Sequence, residues 1–318
     1  MAAAVPSQMP SDFSVKFYGC RGSIPVSGTD HVRYGGQTSC LTVRAGSREI
    51  ILDAGSGLVS HSNDLIKRYI ETQQPLETYV FITHAHLDHL IGLPYFAPMY
   101  MPDASVSIWG PQNMRFDSFE ETIDAFMSPP FFPVPRYEMQ ADFRFADIGE
   151  ADVIYFVEGQ DAPIQCRPRH PRTAGQAPDP SQIELTLECM RGYNHPKSGV
   201  NIYKISAGDK TLVYATDTEG FVKGDRRLIE FARGADVLIH DAMYTEERYV
   251  SMPVPTQGYG HSTVEIAASL AKAADVGQLF LFHHDPGNND NTLDELEARG
   301  KDLFENTLVA RDEMEITL

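Results

Sequence analysis

Thr83-His84-Ala85-His86-Leu87-Asp88-His89 is the stretch whose reading decides the fold. Four donor side chains, His84, His86, Asp88 and His89, fall within six residues, directly after the apolar run Tyr79–Thr83. Imidazole and carboxylate are donors that Zn²⁺ and similar divalent cations accept. Donors this close cannot share one helical face, so the segment is predicted as a loop launched from a strand. In an extended or turning chain His84 and His86 point to the same side, while Asp88 and His89 open the next element. That layout suits two adjacent metals better than one.

Outward from this loop the chain alternates between strand and helix. Ser14–Tyr18, Ser39–Arg44 and Arg48–Leu52 read as strands separated by glycine-rich turns, and Leu58 to about Ile70 reads as a helix. Downstream, Ser105–Trp109 reads as a strand before a helix from about Met114 to Met127. Ser128–Pro135 (SPPFFPVP) and Arg167–Pro180 (RPRHPRTAGQAPDP) hold too much proline for interior strand or helix. They are predicted as loops over a site or an edge, with short strands between. Strands at Val200–Ser206, Thr211–Thr216, Val237–His240 and Gln278–Phe282 then alternate with helices near Asp225–Arg233, Thr263–Ala274 and Asn291–Glu305. Glu313–Leu318 closes the chain as a strand. With no low-complexity linker between two similar halves, the pattern predicts one α/β domain over residues 1–318, its sheets sandwiched between helices. A covering insertion is expected at about 98–182.

Composition bounds the partners. The 318 residues carry 44 Asp+Glu against 26 Lys+Arg, a net charge of −18. Such a surface is expected to repel polyanions, since nucleic-acid binding depends on Lys and Arg displacing counterions from phosphates. Structured RNA and anionic membranes are therefore disfavoured as partners. The four cysteines, Cys20, Cys40, Cys166 and Cys189, are far apart, which fits a reducing compartment and argues against a cysteine-built zinc site. The first residues, MAAAVPSQMPSDF, lack the basic and apolar regions of a signal peptide. No apolar run approaches the roughly 18 residues of a membrane span. A cytoplasmic protein is expected.

His-x-His-x-Asp-His after an apolar strand, with Leu52-Asp53-Ala54-Gly55 before it, resembles the metallo-β-lactamase superfamily. The likeness runs from Val15 to about Leu308. Asn194-His195-Pro196, Ala215-Thr216-Asp217-Thr218, Gly260-His261-Ser262-Thr263 and Leu281-Phe282-His283-His284-Asp285-Pro286 follow in the superfamily's order. The resemblance implies a four-layer αββα sandwich and two divalent metal ions. Zinc is the first expectation, with manganese or iron acceptable to the same donors. It implies that His84, His86 and His195 hold one metal, that Asp88, His89 and His283 hold the other, and that Asp217 bridges both. Asp53 would orient the ligand loop from behind. Spacing alone leaves His283 and His284 open, because neighbours on a strand point opposite ways; the family pattern favours His283. His240-Asp241 reads as a core or supporting pair. His31, His61 and His170 read as surface or rim residues.

Two metals about 3.5–4 Å apart can share a water, bring its pKa near neutrality and offset charge on a phosphoryl oxygen. Asp217 stands where the best-known β-lactamases carry cysteine, and His86 stands where oxygen-reducing di-iron relatives usually place Glu. Both point away from those chemistries. His261, opening a helix, resembles the extra histidine of the phosphodiesterase branch and would serve as general acid, with Asp88 and Asp217 orienting the attacking water. Gly19-Cys20-Arg21-Gly22-Ser23 and Tyr34-Gly35-Gly36-Gln37-Thr38 resemble the cyclic-phosphodiesterase type, with Cys20 and Gln37 as departures. Transfer-RNA processing relatives usually carry a long arm between the positions of His195 and Asp217, where only residues 196–216 intervene here. The extra length lies at residues 90–194, where Phe131-Phe132 could cover a site or stack on a base. The expectation is a phosphodiesterase acting on a small phosphodiester, most plausibly a 3′,5′-cyclic nucleotide. The alternative is a transfer-RNA 3′-end processing endoribonuclease. A nucleotide-binding protein without catalysis fits a complete ligand set poorly. Homodimers are common in the resembling families. The run Arg167–Arg172 is a local basic patch that could still meet an anion.

Overall fold

Period-two burial builds the first strands. In β1 (Phe13–Gly19) Phe13, Val15 and Phe17 are buried while Ser14 and Lys16 are half-buried, so one face meets a core. β2 (Cys40–Ala45) and β3 (Arg48–Leu52) continue as an antiparallel hairpin. Helix α1 (Leu58–Thr72) follows, then β4 (Glu77–Phe81) and β5 (Ser105–Gly110). Past α2 (Phe119–Phe126) comes β6 (Asp142–Asp147), and β3 to β6 pair in parallel. The computed structural model describes residues 13–167, 177–221 and 224–318. The start of the chain, His170 and the basic run beyond Arg167 lie outside the described residues.

A second sheet takes over at β7 (Val153–Val157), β8 (Ile164–Cys166), β9 (Ile183–Gly192), β10 (Val200–Ala207) and β11 (Lys210–Ala215), all antiparallel. The run β9 is 10 residues long, and its inward Leu185, Leu187 and Cys189 show a clear period of two. Helix α3 (Arg226–Phe231) leads to β12 (Val237–Asp241), and α4 (Glu246–Val250) and α5 (Val264–Ala274) lead to β13 (Gln278–Phe282). After α6 (Asp290–Leu303), β14 (Thr307–Val309) completes the parallel half of this sheet, and β15 (Glu315–Thr317) returns to pair with β1.

The order is β15-β1-β2-β3-β4-β5-β6 in one sheet and β14-β13-β12-β11-β10-β9-β7-β8 in the other. Three cores separate four layers. Phe13, Phe17, Leu41, Phe81, Leu185, Tyr203 and Phe280 fill the space between the sheets. Leu58, Leu65, Phe119 and Ile123 pack α1 and α2 on the outer face of the first sheet, with Ile51, Val80 and Val106. Leu228, Ala267, Leu270 and Leu293 pack α3, α5 and α6 on the second, with Val213, Leu238 and Leu279. This is the αββα sandwich. Residues 98–182 contribute to both sheets, since β5 and β6 extend one and β7 and β8 the other. Within them Phe131 is exposed, while Phe132 meets Tyr95 edge-on at 5.8 Å. Among the described residues, no helix is long and apolar enough to cross a membrane.

His61 corrects the reading of that residue as surface. It shares the buried stripe of α1 with Leu58, Ser62 and Leu65, at helical spacing. Its ring lies 4.8 Å from that of Tyr18, beside a polar cavity of about 220 Å³ under α1. Burial pushes its pKa down to about 4, and Glu49 at 3.6 Å only partly opposes this. The folded protein therefore holds His61 neutral, whereas an unfolded histidine titrates near 6.5. Its contribution to stability is present above about 6.5 and is lost as pH falls through about 4. Thermal melts from pH 7 down to pH 4 should show a falling Tm, with a shallower fall in His61→Gln. Identical slopes would show that His61 is not the group responsible.

Candidate metal centre

Ligands of open parallel sheets bind beyond the carboxyl ends of the strands, and here both sheets turn that end to one place. Asp53 follows β3, the segment Thr83–His89 follows β4, Asp217 follows β11 by one residue, Asp241 ends β12 and His283 follows β13. His195 lies in the β9–β10 turn, and His261 lies just ahead of Thr263, the residue that caps α5. Asp53, Asp217 and His283 have φ of 61°, 51° and 59°. For non-glycine residues this left-handed backbone costs on the order of 1 kcal/mol each. It turns the chain sharply off the strand, and three such turns at one place mark a site.

The side chains form two groups that meet at Asp217. His84, His86, His195 and Asp217 place one donor atom each within 4.8 Å of one another, and so do Asp88, His89, Asp217 and His283. Asp217 Oδ2 faces the first group, 3.5 Å from His84 Nε2 and 3.6 Å from His195 Nε2. Its Oδ1 faces the second, 3.2 Å from both His89 Nε2 and His283 Nε2. Asp88 Oδ2 is 3.1 Å from His283 Nε2 and 3.5 Å from His89 Nε2.

Two observations fit divalent cations to these groups. The buried Nε2 atoms of His84 and His89 have no hydrogen-bond partner, and the ring nitrogens His86 Nδ1 and His195 Nε2 approach to 3.0 Å. A cation shared by such nitrogens satisfies all of them at once. Burial alone would push the Asp217 carboxyl up, but His283, His89 and His84 reverse this and hold it well below the usual carboxylate range. Asp88 is held low in the same way, with His89 and His283 overcoming burial.

His89 and His195 are braced from behind. Asp53, fully buried, accepts from His89 Nδ1 (2.8 Å) and from the Tyr214 hydroxyl (2.9 Å) on Oδ2, and from the Thr83 backbone N–H (2.8 Å) on Oδ1. This carboxylate–imidazole pairing fixes a ligand's tautomer and orientation. The Gly260 carbonyl accepts from His195 Nδ1 at 3.0 Å. Gly260 has φ +91°, and a Cβ there would lie 2.3 Å from the same nitrogen. The Gly19–Ser23 run serves the second group. A Cβ on Gly22 would fall 2.3 Å from the His283 ring, and the Ser23 N–H donates to Asp88 Oδ2 at 2.7 Å.

His283, not His284, enters the centre, while His284 Nε2 donates to the Ala310 carbonyl at 2.8 Å. His261 stacks on His283 at 4.9 Å and hydrogen-bonds through Nδ1 to Asp241 Oδ2 at 2.7 Å. Burial would lower its pKa, but Asp241 first, then Asp217 and Asp88, push it up to about 9. Asp241 also accepts the Ser262 and Met243 backbone N–H groups. Its bond to His261 is a specific task that the sequence reading of a supporting pair left unassigned. Tyr214, Gly22 and Ser23 escaped that reading altogether, although Gly22 and Ser23 stand in a motif already singled out. Between His195 and Asp217 the chain forms only the β10–β11 hairpin.

Residues 48–284 match the family model described as the beta-lactamase superfamily domain. The chain belongs to that family. Its relatives include the ribonuclease Z of Thermoplasma acidophilum, 29% identical over 250 residues, covering 74% of this chain and 78% of the relative. The ribonuclease Z of Picrophilus torridus is 24% identical and covers 98% of this chain and 97% of its own length. Among solved structures, the metallo-beta-lactamase fold protein YhfI of Bacillus subtilis superposes with a TM-score of 0.61 at 18% identity, covering 96% of this chain and 99% of its own. Human tRNase Z, short form, gives 0.57 at 17%, covering 95% and 98%.

These relatives overturn the expectation of a small substrate and the exclusion of structured RNA, since proteins named ribonuclease Z match from about three quarters to nearly all of the chain. The physical error lies in using net charge. The value of −18 sums over the whole surface, whereas a strand of RNA responds to the field along its own track, within about one Debye length of 8–10 Å.

Gly22→Ala should push the His283 ring aside and weaken metal binding by roughly 10- to 100-fold, the usual cost of disturbing a ligand's support. Metal titration of the folded variant, with circular dichroism to verify folding, checks this. Wild-type affinity would mean that His283 is not held as described.

Proposed function

We propose that this chain, a metal-dependent phosphodiester hydrolase, is an endoribonuclease that cuts structured RNA, with the 3′ end of a precursor transfer RNA as its substrate. The observation that carries the reading is the kinship, over nearly the whole chain, with proteins named ribonuclease Z. The geometry supplies the means. His84, His86 and His195 would hold one cation, Asp88, His89 and His283 the second, and Asp217 both, with zinc the first choice for this nitrogen-and-oxygen donor set. Bound there, divalent cations would supply an activated water and offset charge building on the phosphoryl oxygens.

The remaining work falls to side chains. Asp88 and Asp217 present carboxylate oxygens that would orient an attacking water toward phosphorus. His261, held through Nδ1 by Asp241 and stacked on His283, is placed to give a proton to the departing ribose oxygen as general acid. The reading includes a cytoplasmic location, supported by four unpaired and buried cysteines.

Purified protein supplied with Zn²⁺ or Mn²⁺ should cut a precursor transfer RNA near its 3′ end and stop when a chelator is added. Turnover of bis(p-nitrophenyl) phosphate without cleavage of any structured RNA would refute the RNA reading. Asp88→Ala and Asp217→Ala should each abolish measurable turnover, because each removes a charge and a ligand. Full activity in either, with metal bound, would sink the mechanism. His261→Ala should lower kcat by roughly 10²- to 10⁴-fold while metal content stays at the wild-type level. Loss of metal in that variant would make His261 a ligand instead.

A further inference from the structure

A groove of about 460 Å³ lies where β5, β6 and β9 end. Gln112, past the end of β5, and Ile148, past the end of β6, line it together with Arg191 and Tyr193 at the end of β9. Two links join it to the centre. Tyr193 stands two residues before His195 in one turn. The Ile148 carbonyl accepts from the Asn201 side-chain amide at 3.1 Å, and the Asn201 backbone N–H donates to the carbonyl of Thr83, next to His84, at 2.9 Å.

The carboxylates of the lining are engaged. Glu150 takes both contacts of Arg227 at 2.9 Å, Asp152 lies 3.5 Å from Arg167, and Asp147 accepts the first N–H of α2 at 2.7 Å. Arg191 differs. Its guanidinium donates to neutral acceptors, Asn201 Oδ1 at 2.7 Å and the Ser198 carbonyl, and pairs with no carboxylate among the described residues. The Arg191 guanidinium is thus not already paired with an acid. Tyr193 at its rim is 72% exposed, with the Arg227 guanidinium 5.6 Å over its ring. A large aromatic ring held open to solvent beside a cation is a platform for another flat ring.

We propose that this groove is a nucleotide subsite of the RNA strand flanking the scissile phosphate, with a base stacked on Tyr193 and its phosphate drawn by Arg191. The inference rests on the ribonuclease reading above and names where the strand lies. A bare phosphate has no use for the exposed ring, and an apolar ligand has none for the Arg191 guanidinium. A nucleotide uses both. Stacking on one aromatic residue tolerates any base, so the subsite would hold the strand without selecting its sequence.

The test compares the metal-loaded wild type, Tyr193→Ala and Tyr193→Phe on a precursor transfer RNA and on bis(p-nitrophenyl) phosphate, reading KM and kcat separately. Tyr193→Ala should raise KM for the RNA roughly 5- to 100-fold, the usual worth of one stacked base, mainly through KM rather than kcat. Its efficiency on RNA should fall relative to its efficiency on the small diester, and Tyr193→Phe should recover most of the loss. A wild-type KM for RNA in Tyr193→Ala, an equal loss on both substrates, or no recovery in Tyr193→Phe would overturn the subsite. A wild-type enzyme that hydrolyses the diester but cuts no RNA would instead remove the ribonuclease reading, and the subsite with it.

Discussion

The carboxylate of Asp217 is the constraint on which the centre depends. It is 1% exposed and faces four imidazoles, two at each oxygen. Removing a carboxylate from water costs several kcal/mol unless positive charge replaces the lost solvation. Neutral imidazoles cannot meet that demand alone, and protonating all of them would set like charges against each other in a buried space. Divalent cations between the carboxylate and the nitrogens resolve both difficulties. The same demand explains why the donors come from so many segments, since no single strand or helix can surround one carboxylate.

The sandwich meets this demand by turning the carboxyl ends of two parallel half-sheets to one point. One sheet supplies Asp53 and the loop His84–His89; the other supplies Asp217, Asp241 and His283. Two buried tyrosines tie the halves together across the core. The hydroxyl of Tyr203 on β10 donates to the Ile82 carbonyl at 2.6 Å, and that of Tyr214 on β11 donates to Asp53. Each link reaches from the second sheet to the roots of the ligand loop on the first. Close packing of Phe17 against Phe280 and Phe282, at 5.6 and 6.2 Å, holds the sheets in register behind them. A well-packed core has few alternative arrangements, so the donor atoms start close to where a cation needs them.

Much of the centre is legible in the sequence because its donors sit at strand ends, where a polar residue interrupts an apolar run. His84–His89 after Tyr79–Thr83, Asp217 after TLVYA and His283 after QLFLF all carry that signal. Strand and helix positions in the second half are legible for the same reason. Other features are not local and so escape. The choice of His283 over His284 depends on a left-handed turn at φ 59°, which no spacing rule foretells. His61 looks solitary until α1 places it on the buried stripe with Leu58 and Leu65. Within residues 98–182 proline-rich stretches mask β7, whose alternating apolar residues become meaningful only beside its partner β9. Net charge misled most, because a sum over the surface says nothing of a local cation such as Arg191, which pairs with no carboxylate among the described residues.

The central claim, that Asp217 is shared by two cations, is tested most directly by crystallography of the metal-loaded protein with anomalous scattering at the metal edge. The account predicts two anomalous peaks about 3.5–4 Å apart, one among His84, His86 and His195 and the other among Asp88, His89 and His283, with one Asp217 oxygen on each. A single peak at full metal occupancy, or two peaks with Asp217 touching neither or only one, would contradict it.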